Sequence, residues 1–235
     1  MKPIYIPKGP AKEYGDYAIN IYTGCPHRCY YCFAPQVLHK DRETFHCNIQ
    51  TRPGVVEAVK RQLEAEKITG KFIHLCFTCD PCPKGVVDTT PTNKIIELLK
   101  SHGNNIQLLT KGGSSSIEAI ELMDSNDWYG ITLTGASADQ EPGTASPTDR
   151  IFWLAVARNR GIKTWVSFEP VVNADWVLSC IAGHGEIFDK IKIGKLNYHP
   201  SNINWKEFGN KAEGICKERG FNYYIKESLR KEMMK

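Results

Sequence analysis

Three cysteines stand within eight residues in Cys25-Pro-His-Arg-Cys29-Tyr-Tyr-Cys32. Soft thiolates at such spacing form a compact chelate for zinc, Cu(I) or an iron–sulfur cluster. A structural zinc ion wants four protein ligands, and His27 or His46 would have to complete that set. Three thiolates without a fourth protein ligand instead suit a cubane cluster with one iron open to another ligand.

A second group, Cys76-Phe-Thr-Cys79-Asp-Pro-Cys82, adds three more thiols. Three readings stay open: a second cluster or metal at Cys76, Cys79 and Cys82 with Cys47 as fourth ligand, redox or hydrogen-donor thiols, or small buried hydrophobes. On a straight strand Cys76 and Cys79 point to opposite faces, and only a turn at Asp80-Pro81 repositions Cys79 and Cys82. The chain holds nine cysteines. No secretory signal opens the sequence, so they point to metal or thiol chemistry rather than a disulfide framework.

These groups need elements to position them. Runs rich in Ile, Val, Tyr, Phe and Trp predict strands at Tyr17–Tyr22, Phe72–Phe77, Ile106–Leu109, Gly130–Leu133, Thr164–Phe168 and Ile191–Ile193. Between them lie helices with start signals: Thr90-Pro91, Ser146-Pro147, and capping-box spacing at Ser115/Glu118 and Asn204/Glu207. Six βα units in succession predict a parallel α/β sheet, either doubly wound or closed toward a barrel. In both, ligands bind at the carboxyl ends of the strands. Glu169, fixed by Pro170 after the fifth strand, is a candidate catalytic or ligand-binding group there, and Lys195 after the sixth is a candidate for an anionic group.

At 235 residues the chain suits one well-buried domain, residues 1–235. A hydrophobic content of 41%, with 24% charged residues, is that of a globular protein. No apolar run approaches the ~20 residues of a membrane helix, and a cytoplasmic protein without membrane association is expected. The net charge of +4 permits an anionic partner without requiring one.

Cys-x3-Cys-x2-Cys after a first strand, with Tyr31 before the last cysteine, resembles the signature of the radical S-adenosylmethionine (SAM) superfamily. Ile19-Asn-Ile-Tyr-Thr-Gly-Cys25, Thr78-Cys-Asp80-Pro81, Leu109-Thr110-Lys111 and Glu141-Pro142 with Ser146-Pro147-x-x-Arg150 are similar to segments of its spore photoproduct lyase-like, or DNA repair photolyase-like, branch. The resemblance covers roughly residues 15 to 195. It implies a partial (β/α)6 barrel, a [4Fe-4S] cluster on Cys25, Cys29 and Cys32, SAM on the open iron, and a reductant such as flavodoxin or ferredoxin. It further implies Tyr31 near the adenine or cluster edge, Cys79 and Asp80 toward the methionine end of SAM, Lys111 at its carboxylate or ribose, and Thr132 and Thr134 at the ribose hydroxyls. Phe33 and Phe77 depart from the branch pattern and remove its hydrogen-return residues, so the resemblance speaks for a type of chemistry rather than a substrate. A wide barrel mouth favours a nucleic acid or protein as substrate. The alternative is a non-catalytic iron–sulfur or zinc module acting as nucleic-acid adaptor or electron carrier.

Overall fold

The computed structural model describes residues 2–85 and 88–235. Seven strands form one sheet in the order β1 Tyr17–Ile19, β2 Phe72–Leu75, β3 Asn105–Thr110, β4 Trp128–Thr132, β5 Lys163–Phe168, β6 Lys190–Ile193 and β7 Tyr223–Ile225. Every neighbouring pair is parallel. Because the spatial order follows the chain order without reversal, successive crossovers advance in one direction. A doubly wound sheet needs a reversal of strand order, so the choice left open by periodicity falls to the barrel-like sheet, with β1 and β7 as its two edges.

The helices are α1 Ala34–Val37, α2 Arg42–Cys47, α3 Val55–Glu66, α4 Thr90–Ser101, α5 Ile117–Leu122, α6 Pro147–Asn159, α7 Ala174–His184, α8 Trp205–Glu218 and α9 Glu227–Met233. Alternate strand residues such as Ile73, Leu75, Ile106, Leu108, Ile131, Val166 and Ile191 join helix residues such as Leu63, Ile95, Leu99 and Ile181 in one core. The other strand face looks into the barrel lumen. There Trp165 donates its indole N–H to the Leu108 carbonyl at 3.0 Å and lies against Gly130, where a Cβ would collide with the ring.

Two expected caps form: Ser146 Oγ accepts from Asp149 N at 3.2 Å and Asn204 Oδ1 from Glu207 N at 3.1 Å. The Ser115/Glu118 box does not. A 3-10 turn covers Gly113–Ser116 and α5 begins at Ile117, while Ser116 Oγ bonds the Gly113 carbonyl and the Tyr129 hydroxyl, each at 2.7 Å.

Strands β1 and β2 are shorter than their hydrophobic runs. Cys76 adopts φ +70 and turns the chain out of the ladder. Asn20 Oδ1 takes over as acceptor for Phe77 N and Thr78 N, at 2.8 and 3.0 Å. The seventh strand, beyond the six expected, is a three-residue run too brief for a periodic signal. The chain's start lines the other edge, where Tyr5 pairs antiparallel with Ala18 of β1. A turn at Gly9–Glu13 then brings Tyr14 to the lumen, with its ring 6.0 Å from that of Trp165.

Candidate active site

The loop Cys25–Cys32 follows β1 and is clamped from two sides. On one side, α2 supplies Arg42, whose guanidinium donates to the carbonyls of Cys29 (2.5 Å), Tyr30 (3.0 Å) and Cys32 (3.3 Å). His46 Nδ1 donates to the Cys25 carbonyl at 2.7 Å, and Gly24 sits so close to the Phe45 carbonyl that a Cβ would strike it. On the other side, Gly143 N donates to the His27 carbonyl at 3.1 Å, and Tyr30 N donates to the Gln140 carbonyl at 3.0 Å. The fork of Arg42 matters because a planar guanidinium presents its N–H donors in fixed directions toward the three carbonyls.

This donor set fits a cluster better than a single ion. His27 is committed, its Nε2 accepting from Lys84 N at 3.0 Å and its Nδ1 lying 3.5 Å from Asp80 Oδ2. Among the described residues no three His, Cys, Asp or Glu side chains converge on one point, as a tetrahedral zinc ion with Zn–S near 2.3 Å requires. In a cubane each thiolate binds its own iron. Cys25, Cys29 and Cys32 stand on one clamped loop and would supply three of the four ligands of a cubane, with His27 engaged by Lys84 N and Asp80.

Beside the loop lies a buried polar network. The Tyr31 hydroxyl donates to Glu141 Oε1, as does Thr134 Oγ1 at 2.9 Å. The other carboxylate oxygen of Glu141 receives Arg150 Nη2 at 2.7 Å. Arg150 also reaches the carbonyls of Ala145 (2.9 Å) and Thr132 (2.8 Å) and the Thr144 hydroxyl (2.6 Å). Burial works against the charge of Glu141, but Lys111 and Arg150 outweigh it and hold the carboxyl below its ordinary range. Lys111 places its ammonium 5.4 Å from the centre of the Tyr31 ring. Tyr31, Lys111, Thr132 and Thr134 are thus brought together, linked by Glu141 and Arg150.

Asp80 is a buried hub. Its Oδ1 accepts from Thr110 Oγ1 (2.5 Å) and Cys82 N (2.9 Å), and its Oδ2 from Lys111 N (2.8 Å). It ties the loop after β2 to the end of β3, and its oxygens are engaged by protein donors. The turn at Cys76 also changes the opposite-face expectation: the two thiols influence each other, burial and Cys79 pushing the Cys76 thiol up while, against the burial of Cys79, Cys76 and nearby backbone N–H groups hold its thiol down. Cys82 is buried with 1% exposure, and the three thiols do not converge on a common point.

Glu169 is held in the lumen by Tyr14 (hydroxyl to Oε2, 2.5 Å) and Lys226 (2.6 Å). Lys195 does not join it. Its ammonium pairs with Glu232 of α9 at 2.6 Å. Nothing local in the sequence marks Arg42, Tyr14 or Lys192, Lys226 stands there only as part of a mixed-charge helix end, and Glu141 and Arg150 belong to a resembling segment. The Glu141/Arg150 spacing was the one local signal among them; Tyr14 and Lys226 reach Glu169 from 155 and 57 residues away.

At the strand ends, a groove of about 700 Å³ runs from Tyr30 past Gln140, Val172 and Leu196 to the start of α8. Its inner wall adjoins a small apolar cluster of Cys29, Tyr31 and Leu196 packed by Val172 and Trp205. No helix among the described residues is long and apolar enough to cross a membrane.

The sequence matches the Radical SAM superfamily model over residues 19–173, more than half of the chain. An uncharacterized protein of Mycobacterium tuberculosis is 23% identical over 168 residues, covering 66% of this chain and 49% of that protein. An uncharacterized protein of Mycobacterium bovis matches with the same figures. The chain spans about half the length of the curated relatives it matches. Among solved structures, spore photoproduct lyase complexed with dinucleoside spore photoproduct superposes with a TM-score of 0.68 at 14% identity, covering 94% of this chain and 79% of that one. SuiB of Streptococcus suis bound to its precursor peptide SuiA superposes with a TM-score of 0.64 at 11% identity, covering 88% and 48%. SuiB bound to S-adenosylmethionine gives 0.63 at 10%, covering 88% and 46%. At these identities the likeness is one of fold, and it agrees with the partial barrel.

Proposed function

Since this chain belongs to the radical SAM superfamily, we propose that it carries a [4Fe-4S] cluster on Cys25, Cys29 and Cys32 and uses it to cleave SAM and start hydrogen abstraction from a substrate. The observation that carries this reading is the clamped three-thiol loop set beside the buried Tyr31–Glu141–Arg150 network at the strand ends. When bound and reduced by one electron, the cluster and SAM supply a 5′-deoxyadenosyl radical. The residues of the chain do the rest.

Arg42, His46 and Gly143 hold the loop so that the three thiols keep their spacing. Glu141 fixes the Tyr31 ring, which with Leu196 and Val172 offers an apolar wall to an adenine base. Lys111 offers a cation to the carboxylate or ribose of SAM. The Thr134 hydroxyl is already shared between Glu141 and Ala136 N, so its part and that of Asp80 is to position neighbours. Thr132 contributes the carbonyl that anchors Arg150. Cys79, half-buried after the β2 turn, is a candidate hydrogen donor. Exclusion of water from this wall keeps the reactive centre from side reactions. Electron supply calls for a flavodoxin- or ferredoxin-type reductant.

The same fold is seen with a dinucleoside in spore photoproduct lyase and with a peptide in SuiB. Together with the open groove from Tyr30 to α8, this supports a macromolecular substrate. The test is anaerobic reconstitution with iron and sulfide, reduction by dithionite with SAM, and chromatography for 5′-deoxyadenosine. Product from wild type that is lost in the Cys25→Ala, Cys29→Ala, Cys32→Ala triple variant supports the reading. A loaded, reducible cluster without product returns the chain to an electron carrier or adaptor. Iron kept by the triple variant would reveal a second metal site elsewhere in the chain.

A further inference from the structure

The barrel lumen holds a second group of charges that cluster and SAM binding leave unused. Lys192 of β6 is 3% exposed, and among the described residues its ammonium has no carboxylate partner; it donates to the Glu13 carbonyl at 2.6 Å. It stands 4.0 Å from the centre of the Tyr14 ring and 5.3 Å from that of Trp165. Lys226, by contrast, is neutralised by Glu169 at 2.6 Å. Two buried polar atoms make no hydrogen bond: Nδ1 of His74 and Oγ of Ser167, each on a residue 1% exposed. Ser167 is in register with Lys192 across the β5–β6 ladder. The rings of His74 and Trp165 lie 6.4 Å apart, and Phe77 stacks on His74 at 4.4 Å.

An ammonium has three protons to donate, and one carbonyl does not offset the cost of burying it charged. Burial pulls the ammonium down to about 7, with Lys190 and Lys226 adding repulsion and the carboxylates of Glu169 and Glu13 opposing it. The facing groups are Glu13 and Tyr14 from the N-terminal segment, His74 of β2, Glu169 after β5, Lys190 of β6, Tyr224 of β7, which is in register with Lys192, and Lys226 after β7. Glu169 is taken by Lys226, and Glu13 meets Lys192 through its carbonyl rather than its carboxylate. The Lys192 ammonium therefore has no bonded anion.

We propose that the lumen beside Lys192 binds an anionic group of the substrate, a carboxylate or a phosphate, with Lys192 as the docking cation and His74 and Ser167 completing its hydrogen bonds. This rests on the reading of the chain as a radical SAM enzyme whose substrate enters the barrel from the strand ends. Tyr14, Phe77 and Trp165 then wall the apolar part of the bound molecule. Binding is linked to proton uptake by Lys192, because the anion stabilises the charged form that burial disfavours. Affinity is therefore greatest below pH 7 and weakens above it.

The test uses the reconstituted protein with two probes that do not titrate between pH 6 and 8: acetate for a carboxylate and sulfate for a tetrahedral oxyanion. Chloride holds ionic strength constant, and tryptophan fluorescence is read with Trp165→Phe assigning the signal. Saturable binding of one probe at pH 6, about tenfold weaker at pH 8 as Lys192 passes from mostly charged to mostly neutral, is the expected result, and the stronger probe names the anion class. Lys192→Met should abolish it and Lys192→Arg should retain it, with circular dichroism confirming that both fold. Binding by Lys192→Met equal to wild type, affinity independent of pH, or binding of neither probe would overturn the proposal. Deoxyadenosine formation by wild type is read separately: product without anion binding removes this site alone, and anion binding without product removes the reaction and leaves the site.

Discussion

Replacing Glu141 by Ala removes the charge that neutralises Arg150 inside the protein. Glu141 is 5% exposed and the Arg150 side chain 2%, so the guanidinium would remain buried without its carboxylate. Removing one partner of a buried pair costs about 3–5 kcal/mol. Arg150 keeps three other acceptors, at 2.6, 2.8 and 2.9 Å, but the buried hydroxyls of Tyr31 and Thr134 lose the acceptor they share, so the loss spans that range, about 3–5 kcal/mol. For a domain of this size each kcal/mol moves Tm by about 2–4 °C, so a fall of at least about 6 °C is expected in thermal unfolding followed by circular dichroism at pH 7.5. Glu141→Leu combined with Arg150→Met should cost less than the sum of the single changes, because the second removes the charge the first left unpaired. The sign of the pH effect follows from the depressed carboxyl. Its stabilisation is complete above the unfolded glutamate value near 4.3 and is lost as pH falls through the lower folded value, so unfolding between pH 6 and 8 should be unaffected by this pair. A loss under about 1 kcal/mol for Glu141→Ala, the range of exposed pairs, would refute the buried-pair reasoning.

Arg42→Lys keeps a charge but not the fork that spans the carbonyls of Cys29, Tyr30 and Cys32. Iron bound per chain after reconstitution should fall while the fold persists, and unchanged iron content would show that the loop holds its shape without the clamp. Gly130→Ala drives a Cβ into the Trp165 ring, and a loss of about 1–3 kcal/mol in denaturant unfolding is expected; a neutral result would mean that the ring moves freely. Asp80→Ala strips an acceptor from Thr110, Cys82 and Lys111. Leaving these buried donors unpaired should cost at least about 1–3 kcal/mol and weaken SAM binding measured by calorimetry, whereas unaltered SAM affinity would separate the hub from the cofactor site.

The parts of this site that could be read in the sequence are those whose partners are close along the chain. The cysteine spacing of the first loop, the Ser146 and Asn204 caps and the hydrophobic strand runs are local patterns, and they reappear with small shifts of boundary. Asp80 read as a turn residue, and its bond to Cys82 N two residues on is such a turn. Its bond to Thr110 depends on β2 and β3 being neighbours, which no spacing discloses. Cys76 shows the same limit from the other direction. Strand periodicity sends its thiol away from Cys79, and a single left-handed residue returns it. The lumen charges lie furthest from view, since Lys192 meets the Glu13 carbonyl across 179 positions and Tyr14 meets Glu169 across 155. They meet because the N-terminal segment runs along the free edge of β1 into the barrel while β7 brings Lys226 to the other side. An open barrel built by sequential parallel strands therefore leaves its cysteine loop legible on one strand end and conceals the charges of its lumen in the seam between β1 and β7. The anion site proposed beside Lys192 lies in that seam, and the superfamily signature in the first loop carries no information about it.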